Sequence, residues 1–144
     1  MTRGRTDGRT LRGARTRAAA FAFLLLIASV VPVPGRGSGT GGAGIDLPLG
    51  IGLTDPFHLV GYAVLAALLA GATQRRRFGI LLAVLVAVAV GFGIELVQST
   101  VPWRSFAWRD VGINAIGATI GGAVSLARRV REISRQADTS QRRR

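Results

Sequence analysis

"FGILLAVLVAVAVGFGIELVQ", residues 78 to 98, is the stretch that decides the fold. It is continuously apolar until Glu95 and Gln98 near its far end. A helix of this length crosses a hydrocarbon core of about 30 Å. A barrel strand would alternate and be about half as long, so the spanning element is a helix. A carboxylate at mid-membrane costs several kcal/mol unless it is paired, hydrated or protonated. Glu95 therefore needs an explanation.

The triple arginine 75 to 77 bounds this run on its N-terminal side, and before it lies "DPFHLVGYAVLAALLAGAT", residues 55 to 73. Asp55 followed by Pro56 fits a cap with proline at the first helical position, predicting a helix over 56 to 73. On the other side "VPWRSFAWR", residues 101 to 109, reads as a short loop whose aromatic rings suit a membrane interface. Asp110 reads as the cap of a fourth helix over 111 to 127, the weakest by hydropathy. Its "GATIG", Gly117 to Gly121, is a small-xxx-small face for close helix packing, read as contact within one chain. Nearer the N-terminus, "AAAFAFLLLIASVVPVP", residues 18 to 34, is a first span ended by Pro32 and Pro34. A signal peptide is the rival reading. No clean A-x-A site follows, which favours a retained helix. Residues 35 to 54 read as a Gly-rich loop.

The 144-residue chain is 49% hydrophobic and 18% charged, with a mean hydropathy of +0.38. Its apolar residues are gathered into runs and its charges fill the gaps, as in a small integral membrane protein. The net charge is +12, and all 19 basic residues are arginine. They lie in short blocks beside the spans, which encodes topology. No aromatic-interleaved basic motif or nucleic-acid module appears, so nucleic acid is not the expected partner. The absence of cysteine excludes disulfides, thiolate nucleophiles and zinc–thiolate sites. Sixteen of the arginines fall in residues 1 to 17, 75 to 77 and 128 to 144. The positive-inside rule then places both termini in the cytoplasm. The expected fold is an all-α membrane protein of the plasma membrane with four transmembrane helices. The membrane domain covers 18 to 127, between disordered Arg-rich tails at 1 to 17 and 128 to 144.

In this topology the third helix runs outward. Glu95 then lies about one turn, roughly 5 Å, below Ser99 and not at the bilayer centre. Other polar residues fall at the same level. Asp55, His58 and Tyr62 share a face of the second helix, Glu95 and Gln98 of the third, and Asp110 and Asn114 of the fourth. Arg104 and Arg109 are placed in the connecting loop. Three helices could thus turn polar faces to one shallow site. Each residue also has a plain structural reading: Asp55 and Asp110 as caps, Glu95 as an ion-pair partner of Arg104, Trp103 and Trp108 as interface anchors.

"DPFHLVGYAVLAALL" (55 to 69) and "GIELVQSTVPWRSFAWRDVGINAIGATIGG" (93 to 122) resemble the VanZ-like family, named for a small membrane protein linked to teicoplanin resistance. The family pattern maps onto Asp55, His58 and Tyr62, then Glu95 and Gln98. Arg104 and Ser105 follow in the loop, and Asp110 and Asn114 on the fourth helix. Pro56 stands where relatives often carry lysine. The resemblance covers residues 55 to 122. It implies a polytopic membrane protein acting at the outer face, and it implies no particular reaction.

Three functions compete. The first is an envelope protein that binds or modifies a lipid-linked or cell-surface molecule in the outer leaflet. Glu95 and His58 would be acid and base, with Asp55 and Asp110 orienting them. Arg104, Gln98, Asn114 and Tyr62 would bind the ligand, Arg104 through a phosphate or carboxylate. The second is a binding or structural protein whose polar cluster only locks the helices together. The third is a small proton-coupled exporter, disfavoured because transport sites sit near the midplane. A divalent cation held by Asp55, Glu95 and Asp110 matches no recognised spacing, so neither metal nor cofactor is expected. Membrane lipids are the expected partners. Whether the protein is an enzyme, and its oligomeric state, stay open at this stage.

Overall fold

A computed structural model of the chain describes residues 3 to 31, 55 to 73 and 76 to 142. The Gly-rich loop, Pro32, Pro34, Arg36 and Arg75 lie outside the described residues. Four helices are present among them: α1 (Arg3–Val30), α2 (Asp55–Thr73), α3 (Gly79–Gln98) and α4 (Trp108–Gln141). All four are long and apolar enough to cross a membrane. The large apolar side chains point outward: Phe23, Leu24, Leu81, Leu85 and Ile116 are all exposed. The buried face of α3 is mostly small or polar instead, with Ala83, Ala87, Gly91, Glu95 and Gln98 beside a single large apolar residue, Ile94. That inversion suits helices whose outer solvent is lipid, where tight contact between small residues drives association.

The helices alternate in direction. The C-terminal ends of α1 and α3 and the N-terminal ends of α2 and α4 share one end of the bundle. Gln98 Nε2 donates to Ser29 O at 3.2 Å, and Trp103 Nε1 donates to Val30 O at 3.3 Å. These bonds satisfy two carbonyls that the end of α1 leaves without helical partners. At the opposite end the Thr73 hydroxyl donates to Leu69 O and to Gly79 O, tying α2 to α3.

α2 and α4 run parallel and in backbone contact. A Cβ at Gly117 would overlap the Leu59 carbonyl oxygen, and one at Gly121 would overlap that of Ala63. The two glycines of GATIG thus face α2 of the same chain. Tyr62, Leu65, Ala66, Ala87, Ile94 and Ala118 form the small core beside this contact.

Three sequence-based bounds need correction. α4 begins at Trp108 after an extended Ala107, so Asp110 is a first-turn residue and not the cap. Arg109 therefore belongs to the helix and not to the loop. The residues 3 to 17 and 128 to 141, expected to be disordered, continue α1 and α4 as helix. Extending an existing helix avoids the nucleation cost, and arginine, alanine and glutamine are good helix formers. Beyond Ala127 every described side chain of α4 is exposed, so nothing packs on that extension.

Candidate functional site

The shared end of the bundle gathers the polar residues of α2, α3 and α4. Their spacing explains how. His58 and Tyr62 are one turn apart on α2, with rings stacked at 6.4 Å between centroids. Asp110 and Asn114 are one turn apart on α4. Gly91, one turn below Glu95 on α3, leaves room for both neighbours. A Cβ there would come within 2.9 Å of the Tyr62 ring and 3.2 Å of Asn114.

Glu95 is fully buried, and Tyr62, Gln98 and Asn114 are at most 2% exposed. Four cross-helix relationships hold the site. Asn114 Oδ1 lies 3.0 Å from His58 Nδ1. An amide oxygen only accepts, so this bond places the imidazole proton on Nδ1. Arg109 grips Asp55 with two parallel bonds, Nη1 to Oδ1 at 2.9 Å and Nη2 to Oδ2 at 2.5 Å. The Ala107 N–H donates to Glu95 Oε2 at 3.4 Å, closing the connecting loop over α3. Finally, one ring nitrogen of His58 and one carboxylate oxygen each of Glu95 and Asp110 lie within 4.8 Å of one another. The charges of Asp110 and Arg104 both act on Glu95.

Three buried polar atoms have no hydrogen-bond partner among the described residues: Tyr62 Oη, Glu95 Oε1 and Asn114 Nδ2. Buried polar groups are almost always satisfied, because leaving one unpaired costs about 1–3 kcal/mol. Here three such atoms occur on three helices at one end of the bundle.

Of the residues singled out from sequence, His58, Tyr62, Glu95, Asp110 and Asn114 come together. Asp55 stands beside them, held by Arg109. Arg104 is half-buried in the loop, within electrostatic reach of Glu95. Gln98 is directed to the end of α1. The orienting partner of His58 is Asn114, a role that the sequence reading assigned to aspartates. Arg109, read as loop like Arg104, was not among the candidate site residues. Its place directly before Asp110, at the head of a helix, was the available signal. Outside the cluster, Phe92, Phe106 and Trp108 stack edge-on and tilted at 5.0 to 6.2 Å, forming an aromatic rim beside it.

Fold and site together define an all-helical protein with four helices long and apolar enough to cross a membrane and buried polar residues gathered at one end of the bundle. The VanZ/LLP1 family model matches residues 36–129. The chain belongs to the VanZ/LLP1 family. No curated protein and no solved structure matches it.

Proposed function

We propose that this VanZ/LLP1 membrane protein binds or chemically alters a lipid-linked or other cell-envelope molecule at the outer face of the plasma membrane. The observation that carries the reading is the trio of unpartnered buried atoms, Tyr62 Oη, Glu95 Oε1 and Asn114 Nδ2. A ligand with polar groups would satisfy them. The arginine distribution supports the sidedness: 16 of 19 lie in segments that the positive-inside rule assigns to the cytoplasm. The polar cluster then faces outward. Exposed Trp103 and Trp108 flank it at the level where indole rings favour the headgroup region.

Glu95 and His58 are the acid–base pair in this reading. With the proton on Nδ1, His58 Nε2 is the basic nitrogen. Arg104 supplies a cation for a phosphate or carboxylate group of the ligand. The Asp55–Arg109 pair fixes the heads of α2 and α4 relative to each other.

A second reading draws on the same cross-helix bonds. His58–Asn114 and Asp55–Arg109 are also what a purely structural or ligand-capturing cluster would contain. One experiment separates the two. Detergent-purified wild type, Glu95→Gln and His58→Ala are incubated with extracted envelope lipids, and mass spectrometry reads out copurified and altered species. A lipid altered by wild type and untouched by both variants supports the enzyme. Identical unaltered lipids on all three folded proteins would reject acid–base chemistry on those lipids. Loss of a bound lipid without any alteration would support capture alone.

A further inference from the structure

From sequence, the only cation set worth weighing was Asp55, Glu95 and Asp110. The fold changes its membership. Both oxygens of Asp55 are taken up by Arg109. His58 stands in its place, with a ring nitrogen within 4.8 Å of Glu95 and Asp110 carboxylate oxygens. We infer that His58, Glu95 and Asp110 form the binding site of one divalent transition-metal cation, Zn²⁺ or Mn²⁺ by its donor set.

Two observations point the same way. The first is Glu95 Oε1, fully buried and without a hydrogen-bond partner among the described residues. A buried carboxylate oxygen that accepts nothing from the protein is suited to a cation. The second is the state of His58. Metal-binding histidines almost always donate their other ring N–H to an oxygen, which fixes the tautomer and the ring. Nδ1 lies 3.0 Å from Asn114 Oδ1, the partner such a bond requires, which leaves Nε2 as the nitrogen open to a cation.

The size of the trio is compatible. Zinc binds nitrogen and carboxylate oxygen at about 2.0–2.2 Å, which puts tetrahedral ligand atoms about 3.4 Å apart. The trio lies within 4.8 Å, and the adjustment to that spacing falls to Asp110, its half-buried member. One imidazole with two carboxylates suits zinc or manganese. Calcium asks for six to eight oxygens, and a chain without cysteine offers no thiolate to softer ions. Tyr62 Oη, buried on the same face of α2, remains for a group carried by the ion or by the ligand.

The inference concerns the cluster already assigned to an envelope ligand, and with a cation bound Glu95 and His58 serve as its ligands in place of an acid–base pair; it stands on ligand geometry and is read out without any lipid. Full-length protein carrying no polyhistidine tag is purified in detergent, stripped with a chelator and titrated with Zn²⁺ and with Mn²⁺. Bound ion per chain is measured after desalting, alongside the unfolding midpoint. The expected result is about one ion per chain and a raised midpoint for at least one of the two metals. Glu95→Gln and Asp110→Asn should each weaken binding at least about tenfold, and Asn114→Leu about 10–100-fold through His58. Should Glu95→Gln fail to fold, the half-buried Asp110→Asn carries the comparison. Folded wild type that retains neither metal overturns the site. So does retention at wild-type affinity by the ligand variants, which would mark an adventitious ion only. Metal binding with no lipid altered leaves this site standing and rejects the enzyme reading, and the converse holds equally.

Discussion

His58 on α2 and Asn114 on α4 meet at 3.0 Å through Nδ1 and Oδ1, joining two parallel helices at the centre of the polar cluster. The bond costs Asn114 something, since its Nδ2 is left buried and unpaired. Asn114→Leu should therefore destabilise only modestly, by about 1–2 kcal/mol, because the unsatisfied Nδ2 disappears while the His58 Nδ1–H loses its acceptor. Ligand capture should fall far more. Denaturation midpoints and lipid or metal retention, measured on one preparation, test the contrast. A large stability loss with normal capture would make Asn114 a structural residue.

Tyr62→Phe offers a cleaner separation. The hydroxyl is buried and makes no hydrogen bond among the described residues. Its removal should leave the unfolding midpoint unchanged or raise it, by up to about 1–3 kcal/mol. A destabilised Tyr62→Phe would mean that the hydroxyl is satisfied in the resting protein.

The glycines of α4 should divide sharply. Gly117→Ala and Gly121→Ala drive a methyl into the Leu59 and Ala63 carbonyls, and overpacking of this kind costs about 1–3 kcal/mol or more. Gly112→Ala meets nothing within 4 Å and should stabilise by about 0.5–1 kcal/mol through helix propensity. Unfolding in mixed micelles ranks the three.

Breaking the Asp55–Arg109 pair from either side should not be symmetric. The Asp55 side chain is 10% exposed and that of Arg109 is 53% exposed. Arg109→Ala leaves a buried carboxylate short of its partner, whereas Asp55→Asn leaves a guanidinium that water can reach. Arg109→Ala should be the more damaging, and adding Asp55→Asn to it should restore most of the loss. A double-mutant cycle on unfolding midpoints reads this directly. Additive losses would count against it.

The native chain has no cysteine, so single substitutions report sidedness without background. Ser105→Cys, beside the cluster, should react with a membrane-impermeant maleimide in intact cells. Ser140→Cys, on the exposed C-terminal extension, should react only after permeabilisation. The reverse pattern would put the cluster on the cytoplasmic side.

Much of this architecture is legible in the sequence, for a physical reason. Lipid as solvent demands long apolar runs, and α2 and α3 match the expected spans to within one residue. The head of α4 was misplaced by three residues. Asp110 is a good capping residue in isolation, but the helix starts from an extended Ala107 and reaches Asp110 in its first turn. The same slip placed Arg109 in the loop. Within the site, one-turn spacing showed which residues share a face: His58 with Tyr62, Asp110 with Asn114. It could not show who pairs with whom across helices. That depends on the offset between α2 and α4, which two glycines set by backbone contact, and no periodicity within one helix encodes an offset between two.

That contact also decides which part of the site can give way. Where α2 and α4 come closest, Gly117 and Gly121 rest on the Leu59 and Ala63 carbonyls and have no side chain to rotate. α3 meets the pair differently, with the Val84 methyl on Gly122 and the Tyr62 ring on Gly91. Rotamers can yield at those places where peptide groups cannot. The α2–α4 spacing is therefore set by backbone, and the seat of α3, with Glu95 on it, by side chains.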